Sequence, residues 1–440
     1  MSSRGILDTS DAIDLECGRQ REPRILQWVL VLGLCTLLVF AVLAFGAVEE
    51  WSTFAFEAGS GVLFLLWAGR QSVSGQIELA ANPLYLPASL FFGVILAQIA
   101  LGRSAYDYIT KYEALQYVSY GIVLLLAAEG VREETARKKF ALVLIAFGAA
   151  YAFFAVAQEL TSNGKIFWLR TPKFGGAIFG SYVNHAHYAG LMEMLVPFPL
   201  VITLGHLLRG GKQVLVAFCA VLMASTIFLS GSRGGMIAFA FEVVLLAALT
   251  LLHRRNSRLA LSLVVGCVLV LALLFSLGKG KVLERLGDLA PGIRWDITKD
   301  CLRMFSQRPV SGWGLGAFPT TYPRYRSFYT NLFVNEAHND YAQLLVETGL
   351  LGFVLMLWFV VRLYQYGLPT SRRWQFKWDG AVSLSALLGC TGLLVHSFVD
   401  FNLQIPANAA MFYTLCGLAA SPLAESSRQR RSRHPKDAES

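Results

Sequence analysis

The sequence predicts an all-α, polytopic membrane fold of about twelve transmembrane helices with one large exterior loop. Composition is the first observation behind this. Hydrophobic residues make up 55% of the 440 residues and charged residues 15%, whereas about a quarter of an ordinary soluble domain is charged. Segment length is the second. A bilayer-crossing helix needs roughly 20 mostly apolar residues, and runs of this kind fall at 25–45, 54–68, 84–101, 115–128, 140–157, 186–204, 214–229, 235–252, 259–277, 341–361, 381–399 and 405–420. The third observation is that basic residues outside these runs cluster in alternate connections, as the positive-inside rule requires.

The first run has an apolar core longer than the 7 to 15 residues of a signal peptide, which makes it a retained anchor. The second and fourth runs are short. The basic clusters are Arg137 to Lys139, Arg209 with Lys212, His253 to Arg258, Arg372 with Arg373 and Lys377, and Arg428 to Arg433. With twelve spans they place both termini in the cytoplasm and account for most of the net charge of +9 as topology signals and lipid-headgroup contacts, not nucleic-acid binding. The chain divides into a cytoplasmic tail, 1–24, a transmembrane domain, 25–420, whose exterior loop 278–339 carries the site, and a second cytoplasmic tail, 421–440. Cys35, Cys219, Cys267, Cys390 and Cys416 fall inside predicted helices and Cys17 in the first tail, so Cys301 alone lies in an exterior loop and no disulfide is expected.

Two long connections, 158–185 and 278–339, lie on the exterior side. The longer carries nine Lys/Arg against five Asp/Glu, and the shorter has Lys165, Arg170 and Lys173 against Glu159. Basic residues on the translocated side oppose the topology rule, although long loops tolerate them. Either an anionic ligand holds them there, or the loops are merely solvated.

Arg233 stands in a very short exterior hairpin, Ser230-Gly-Ser-Arg-Gly-Gly235, between two apolar runs. The flanking glycines let a bulky ligand approach the backbone, and the next helix begins there with free N–H groups and a positive dipole end. This arrangement suits a phosphate. The alternative is an interfacial arginine reaching for lipid headgroups.

Pro291 and Gly292 mark a turn, after which Ile293, Ile297, Cys301 and Met304 recur at helical spacing, so an amphipathic helix is expected on the membrane face. Arg294 falls in its first turn, where the helix dipole disfavours a cation. Its purpose is therefore ligand binding or a salt bridge to Asp296 or Asp300. The glycine-rich stretch 312–318 follows no strand and lacks a Lys-Ser/Thr ending, so it is a tight turn and not a phosphate loop.

His338, in Asn335-Glu-Ala-His-Asn-Asp-Tyr341, is the only histidine of the large loop and the candidate general base, with Glu336 and Asp340 close enough in sequence to orient it. Helix capping by this segment, or metal binding by His338, Glu336 and Asp340, are the alternatives; no second histidine or cysteine lies at ligand spacing. Asn184, His185 and His187 crown the sixth run, either as sugar or phosphate contacts or as caps, with Glu193 about two turns deeper. His396 and Asp400 share a helix face and form a structural pair.

Taken in order, SGSRGG at 230–235, the arginines at 294 and 303, RPVSGWGLGAF at 308–318 and EAHNDYAQLLVETGLLG at 336–352 resemble the O-antigen ligase and polymerase superfamily of bacterial inner-membrane glycosyltransferases. The resemblance covers roughly residues 174–400. It implies a helical transmembrane fold of the GT-C-like kind with a large periplasmic loop containing short helices. It further implies a glycan on undecaprenyl pyrophosphate as donor and a sugar, such as lipid A core, as acceptor. Arg233 and Arg294 would hold the pyrophosphate while His338 deprotonates the acceptor hydroxyl, without a metal or other cofactor. The resulting candidate set is His338, Arg294 and Arg233 as catalytic residues, with Asn184, His187, Arg303 and Glu336 as further substrate contacts. Ligase-type transfer is preferred over polymerisation of an O-antigen or exopolysaccharide. A transporter of lipid-linked sugars or small anions is the rival, but transporters place their sites near the bilayer midplane, whereas these polar residues gather at one face.

Overall fold

The computed structural model describes residues 9–74, 79–172, 177–252, 291–331 and 333–421. Among them the regular structure is helical, apart from isolated β-bridges between Ile166 and Arg170 and between Phe179 and Tyr182. The helices are α1 (Thr9–Leu43), α2 (Glu50–Ser74), α3 (Tyr85–Ala100), α4 (Asp107–Gly130), α5 (Glu134–Thr161), α6 (His185–Leu195), α7 (Pro197–Leu204), α8 (Gly211–Ser230), α9 (Arg233–Leu252), α10 (Pro291–Gln307), α11 (Asp340–Ser371), α12 (Trp378–His396) and α13 (Pro406–Ala420). Among the described residues, seven spans are long and apolar enough to cross a membrane: α1 from Ile25, α5, α6 with α7, α8, α9, α11 and α12. The chain is a membrane protein. The predicted run 259–277, loop residues 278–290, Lys173, the basic residues of 253–258 and the tail 422–440 lie outside the described residues.

Every other apolar run is helical, with three differences that have physical causes. Helix α1 begins at Thr9, inside the expected tail, because good helix formers such as Leu15, Glu16, Arg19 and Gln20 continue it. The run 186–204 is two helices, α6 and α7, meeting at Val196, because Pro197 and Pro199 lack the N–H groups an unbroken helix needs. Helix α11 is interrupted at Gly349, where φ is 65° and ψ −168°.

That interruption is filled by the glycine-rich loop. Trp313 N–H donates to Val346 O at 2.9 Å and Gly314 N–H to Glu347 O at 3.0 Å, while Leu350 N–H donates back to Pro309 O at 2.8 Å. A Cβ at Gly312, whose φ is 66°, would overlap the Glu347 carbonyl, so only glycine permits the splice. Gln98 of α3 completes it by donating to Ser311 O at 2.6 Å and Glu347 O at 2.8 Å. The stretch 312–318 is thus a turn, and its backbone satisfies groups that the broken helix would otherwise leave open.

The interior is built around α12 and α13. Every residue of α13 is buried, and α13 packs against α1, α4, α11 and α12, while α12 also packs against α6, α7 and α9. Small residues allow this: a Cβ at Gly417 would come 2.8 Å from Leu124 O, and one at Gly389 2.6 Å from Met194 O. At the end of the bundle where α4 and α13 finish, Arg137 is 0% exposed. Its guanidinium donates to Val131 O at 3.2 Å, Ser383 Oγ at 3.2 Å and Ser421 O at 3.0 Å. Arg137 is therefore not a solvated topology charge but a clamp joining three segments. Its neighbours Lys138 and Lys139 lie over the rings of Trp378 at 4.9 Å and Trp28 at 4.2 Å.

Helix α10 does not offer its apolar face to lipid. Ile297, Cys301 and Met304 are buried against Phe318, Tyr322, Ala337, Ala342 and Val346, so the helix and the loop 308–338 form a small cap on the start of α11.

Arg137→Met keeps the apolar stem but leaves three buried acceptors without their donor. It should cost about 2–3 kcal/mol of stability, measured as a lower melting temperature of the detergent-purified protein. An unchanged melting temperature would reduce Arg137 to a topology signal.

Candidate active site

At the end of the bundle opposite Arg137, the segment between α12 and α13 carries Asp400, which is 2% exposed. Its Oδ1 accepts the Phe401 N–H at 2.9 Å. Three imidazoles face the carboxylate: His187 Nε2 and His338 Nδ1 lie 3.8 Å and 4.0 Å from Oδ1, and His396 Nε2 lies 4.0 Å from Oδ2. The Phe401 ring meets both outer imidazoles edge-on, at 4.6 Å from His187 and 4.8 Å from His338, so the two rings stand against one aromatic wall. Arg294 reaches the same point from α10 by donating to Val399 O at 2.6 Å. Its Nε is buried without a partner among the described residues.

These neighbours set the charges outside the membrane span. Burial alone would raise the Asp400 carboxyl, but His187, His396 and Arg294 outweigh it and hold the group below the usual carboxylate range. For His338 burial dominates, and Arg294 and His187 add to it against the opposing pull of Asp400, so its pKa is pushed down to about 4. The imidazole is neutral at neutral pH and able to accept a proton. It is held there by an uncommon backbone: His338 has φ 51°, a left-handed conformation that turns the ring toward Asp400 just before α11 begins.

The polar residues around His338 divide between scaffold and site. Asn339 caps α11, accepting from Tyr341 N–H at 3.1 Å and Ala342 N–H at 3.0 Å. Asp340 does not orient His338; it accepts from Ser397 Oγ at 2.7 Å and Leu403 N–H at 3.1 Å, fixing the segment that carries Asp400. Glu336 is turned to Gln343, which also donates to Glu347 Oε1 at 3.3 Å, and burial, then the charge of Glu347, push its carboxyl well up. His338, Glu336 and Asp340 do not converge, and among the described residues no group of three or more His, Cys, Asp or Glu is arranged to hold a metal ion.

On α10, the salt bridges expected as alternatives for Arg294 are taken by others. Lys299 pairs with Asp296 at 3.2 Å and Arg303 with Asp300 at 3.2 Å. Asp300 is buried and also accepts from Tyr322 OH at 3.2 Å and Ser327 N–H at 3.0 Å. Arg303 therefore sits in the cap and not beside Asp400. In the shorter loop Arg170 pairs with Glu49 and lies 4.2 Å over the Phe45 ring, so it is not held in reserve for an anion.

The hairpin at Arg233 is built as expected, but its glycines serve a further purpose. Helix α8 ends at Gly231 in the left-handed region, and Ser232 Oγ caps α9 by accepting the Gly235 N–H at 3.1 Å. A Cβ at Gly234 would overlap the His396 ring, and one at Gly235 would lie 2.8 Å from Glu193 Oε1. The glycines make room for protein side chains and draw the first turn of α9 onto the Asp400 neighbourhood. Arg233 itself is exposed, and its guanidinium has no hydrogen bond or ion pair among the described residues. His185 Nδ1 contacts Ser230 O at 2.7 Å, tying α6 to the same hairpin, and Asn184 caps α6 by accepting the Ala186 N–H at 2.9 Å.

The structure thus brings Arg294, His338 and His187 together around Asp400, with Arg233 at the edge, and engages Asn184, Arg303 and Glu336 elsewhere. Asp400 is the residue that sequence reasoning assigned only to a pair with His396. Its place immediately after an apolar run, at the end where the other candidates gather, was the available signal.

No curated protein matches the chain. Residues 218–357, from α8 through the cap and its arginines to the middle of α11, match the family model described as O-antigen ligase. Arg233, Arg294 and His338 fall within that stretch, whereas His187 and Asp400 are brought to them from outside it. Residues 218–357 thus carry an O-antigen ligase domain, which supports the superfamily that the sequence motifs resemble.

Proposed function

We propose that this protein transfers a glycan from undecaprenyl pyrophosphate to an acceptor sugar at the periplasmic face of the bacterial inner membrane, with lipid A core as acceptor and without a metal. The observation that carries this reading is the convergence of Arg294, His338 and His187 on Asp400, beside a second arginine, at a helix N-terminus, that is unpaired among the described residues. A lipid-linked pyrophosphate needs fixed cations at the membrane surface, and a planar guanidinium grips phosphate oxygens two at a time. In this reading Arg233 and Arg294 supply that grip.

In the reaction the acceptor oxygen bonds to the anomeric carbon while the bond from that carbon to the pyrophosphate oxygen breaks, and the electron pair leaves with the pyrophosphate. His338 takes the hydroxyl proton, and Asp400 stabilises the imidazolium. Donor binding strengthens the base. Arg294 lowers the proton affinity of His338 in the free protein, and a pyrophosphate paired with Arg294 offsets that effect.

The test is transfer by purified protein from lipid-linked glycan to lipid A core, with a second lipid-linked glycan offered as the polymerase-type acceptor. His338→Ala should lower kcat by about 10² to 10⁴, the usual reach of general base catalysis, while donor still binds. Because the base works unprotonated, kcat/KM should be full at neutral pH and fall as pH drops through about 4, and the acid limb of kcat should lie higher, since bound donor raises the His338 pKa. A chelator that stops transfer, with added metal restoring it, would overturn this role.

Arg233→Lys retains charge but not the two-pronged grip, and should weaken donor binding and transfer by at least tenfold, or about 1.4 kcal/mol. Wild-type transfer would leave Arg233 a headgroup contact.

Lys299→Cys, on the exposed face of the cap, should react with an impermeant thiol reagent on spheroplasts. Reaction only after the membrane is breached would invert the orientation and move the site to the cytoplasmic face.

A further inference from the structure

Behind Asp400, on the side away from His338, a line of ionisable groups runs into the helix bundle that the transfer reaction as written does not use. His396 is 1% exposed, with Nε2 toward Asp400 Oδ2 at 4.0 Å and Nδ1 toward Glu193 Oε1 at 3.0 Å. Glu193 of α6 is 0% exposed. Within electrostatic reach of it on α9 stands Glu242, 2% exposed, with both oxygens buried and unpartnered among the described residues. The packing is shaped around these acids. A Cβ at Gly235 would crowd Glu193, and one at Gly392 would overlap Glu242 Oε1.

An ionisable side chain inside a membrane protein is costly and marks an ion or proton pathway more often than a structural contact. The bland alternative is a buried pair, His396 with Glu193, that only ties α6 to α12. That alternative leaves Glu242 without a reason, since neither of its oxygens contributes a bond. It also leaves unexplained why the imidazole presents a carboxylate to each of its nitrogens. An imidazole in that setting accepts a proton at one nitrogen and releases the other nitrogen's proton, and so passes a proton between the two acids without moving.

We propose that Asp400, His396 and Glu193 form a proton relay that removes the acceptor's proton from His338 and stores it on Glu193, in the field of Glu242, until product leaves. The hydroxyl proton moves to His338 as the glycosidic bond forms and the pyrophosphate departs with the bonding pair. His338 then yields a proton toward Asp400, His396 takes it at Nε2 and gives its Nδ1 proton to Glu193, and the proton returns to bulk water by the same route after release. The charged and titratable groups facing this line are His187 from α6, Arg294 from α10, His338 and Asp340 at the start of α11, and Cys390 from α12. Asp340 is held by Ser397 and Leu403 and lies off the path. Glu193, His396 and Glu242 act through Asp400 and touch no substrate, so they are positioning and relay groups.

The relay rests on the proposed transfer reaction, and the experiment separates the two. Purified full-length protein is assayed with lipid-linked glycan and acceptor from pH 5 to 9, in water and in deuterium oxide, as wild type, His338→Ala, Glu193→Gln and Glu242→Gln. Glutamine at 193 still accepts the His396 N–H but cannot take a proton, and glutamine at 242 breaks no hydrogen bond present in the structure. Both relay variants should lower kcat by about 10-fold to 100-fold, with KM for donor and acceptor within about twofold of wild type and a larger solvent isotope effect on kcat. A buried structural pair would instead change the melting temperature and KM and leave the isotope effect alone, and that result overturns the relay. If Glu193→Gln fails to fold, Glu242→Gln decides: wild-type kcat and isotope effect in that variant sink the proposal. Wild-type behaviour of both relay variants beside an inactive His338→Ala removes the relay and keeps the transfer reaction. If the wild type transfers no glycan, both fall together.

Discussion

A carboxylate almost sealed from water at the rim of a membrane bundle has to be surrounded by cations or proton donors, and Asp400 organises its end of the protein by that need. Leaving such a charge unpaired in low dielectric would cost several kcal/mol. Three imidazoles and a guanidinium answer it, each from a different element: His187 from α6, His338 from the turn before α11, His396 from α12 and Arg294 from α10. None of the four donates a short hydrogen bond to it. The carboxylate is therefore stabilised by field more than by fixed contacts, and its neighbours keep some freedom to respond to an arriving anion.

That freedom depends on rigidity elsewhere. Asp340 spends its carboxylate on Ser397 and Leu403, which locks the Asp400 segment to the start of α11. Asp300 does the same for the cap by holding Tyr322 and Ser327. At the far end Arg137 pins α4, α12 and α13. Asp340, Asp300 and Arg137 are bound into the frame by several hydrogen bonds each, whereas His187 Nε2, His338 Nδ1 and Arg294 Nε at the candidate site are buried without a hydrogen-bond partner among the described residues. Pre-organised frames around under-coordinated charges are the arrangement that electrostatic catalysis requires.

The helices were legible in the sequence because lipid demands long apolar runs, and the spans at 140–157, 214–229 and 381–399 stand where hydropathy puts them. What hydropathy does not encode is how a run is broken. Pro197 and Gly349 split helices that apolar content alone reads as continuous. Within the site, Arg294 and His338 were legible because each was out of place for local reasons, a cation in a first helical turn and an isolated imidazole beside a cap. Asp400 was not, since its importance lies in who faces it across the bundle, and three of those partners come from elements separated from it by tens or hundreds of residues. The same limit explains Arg170 and Arg303, whose charges looked available until Glu49 and Asp300 were seen opposite them.

The splice between the glycine-rich loop and the interrupted α11 has a mechanical meaning. Above Gly349 the helix is bonded to the cap through Trp313 and Gly314, and at its first residue to Ser397 O through the Asp340 N–H at 3.0 Å. Below Gly349 one face packs against α3, α12 and α13, burying Phe359 and Leu363, and the other is exposed and apolar. Transmembrane rods tilt to match the thickness of the bilayer around them, and a break at this height lets the lower rod tilt while the upper turns stay with the cap. The turns that follow His338 are thereby held by the cap and by Ser397, and not by the continuous hydrogen-bond ladder of a single rod.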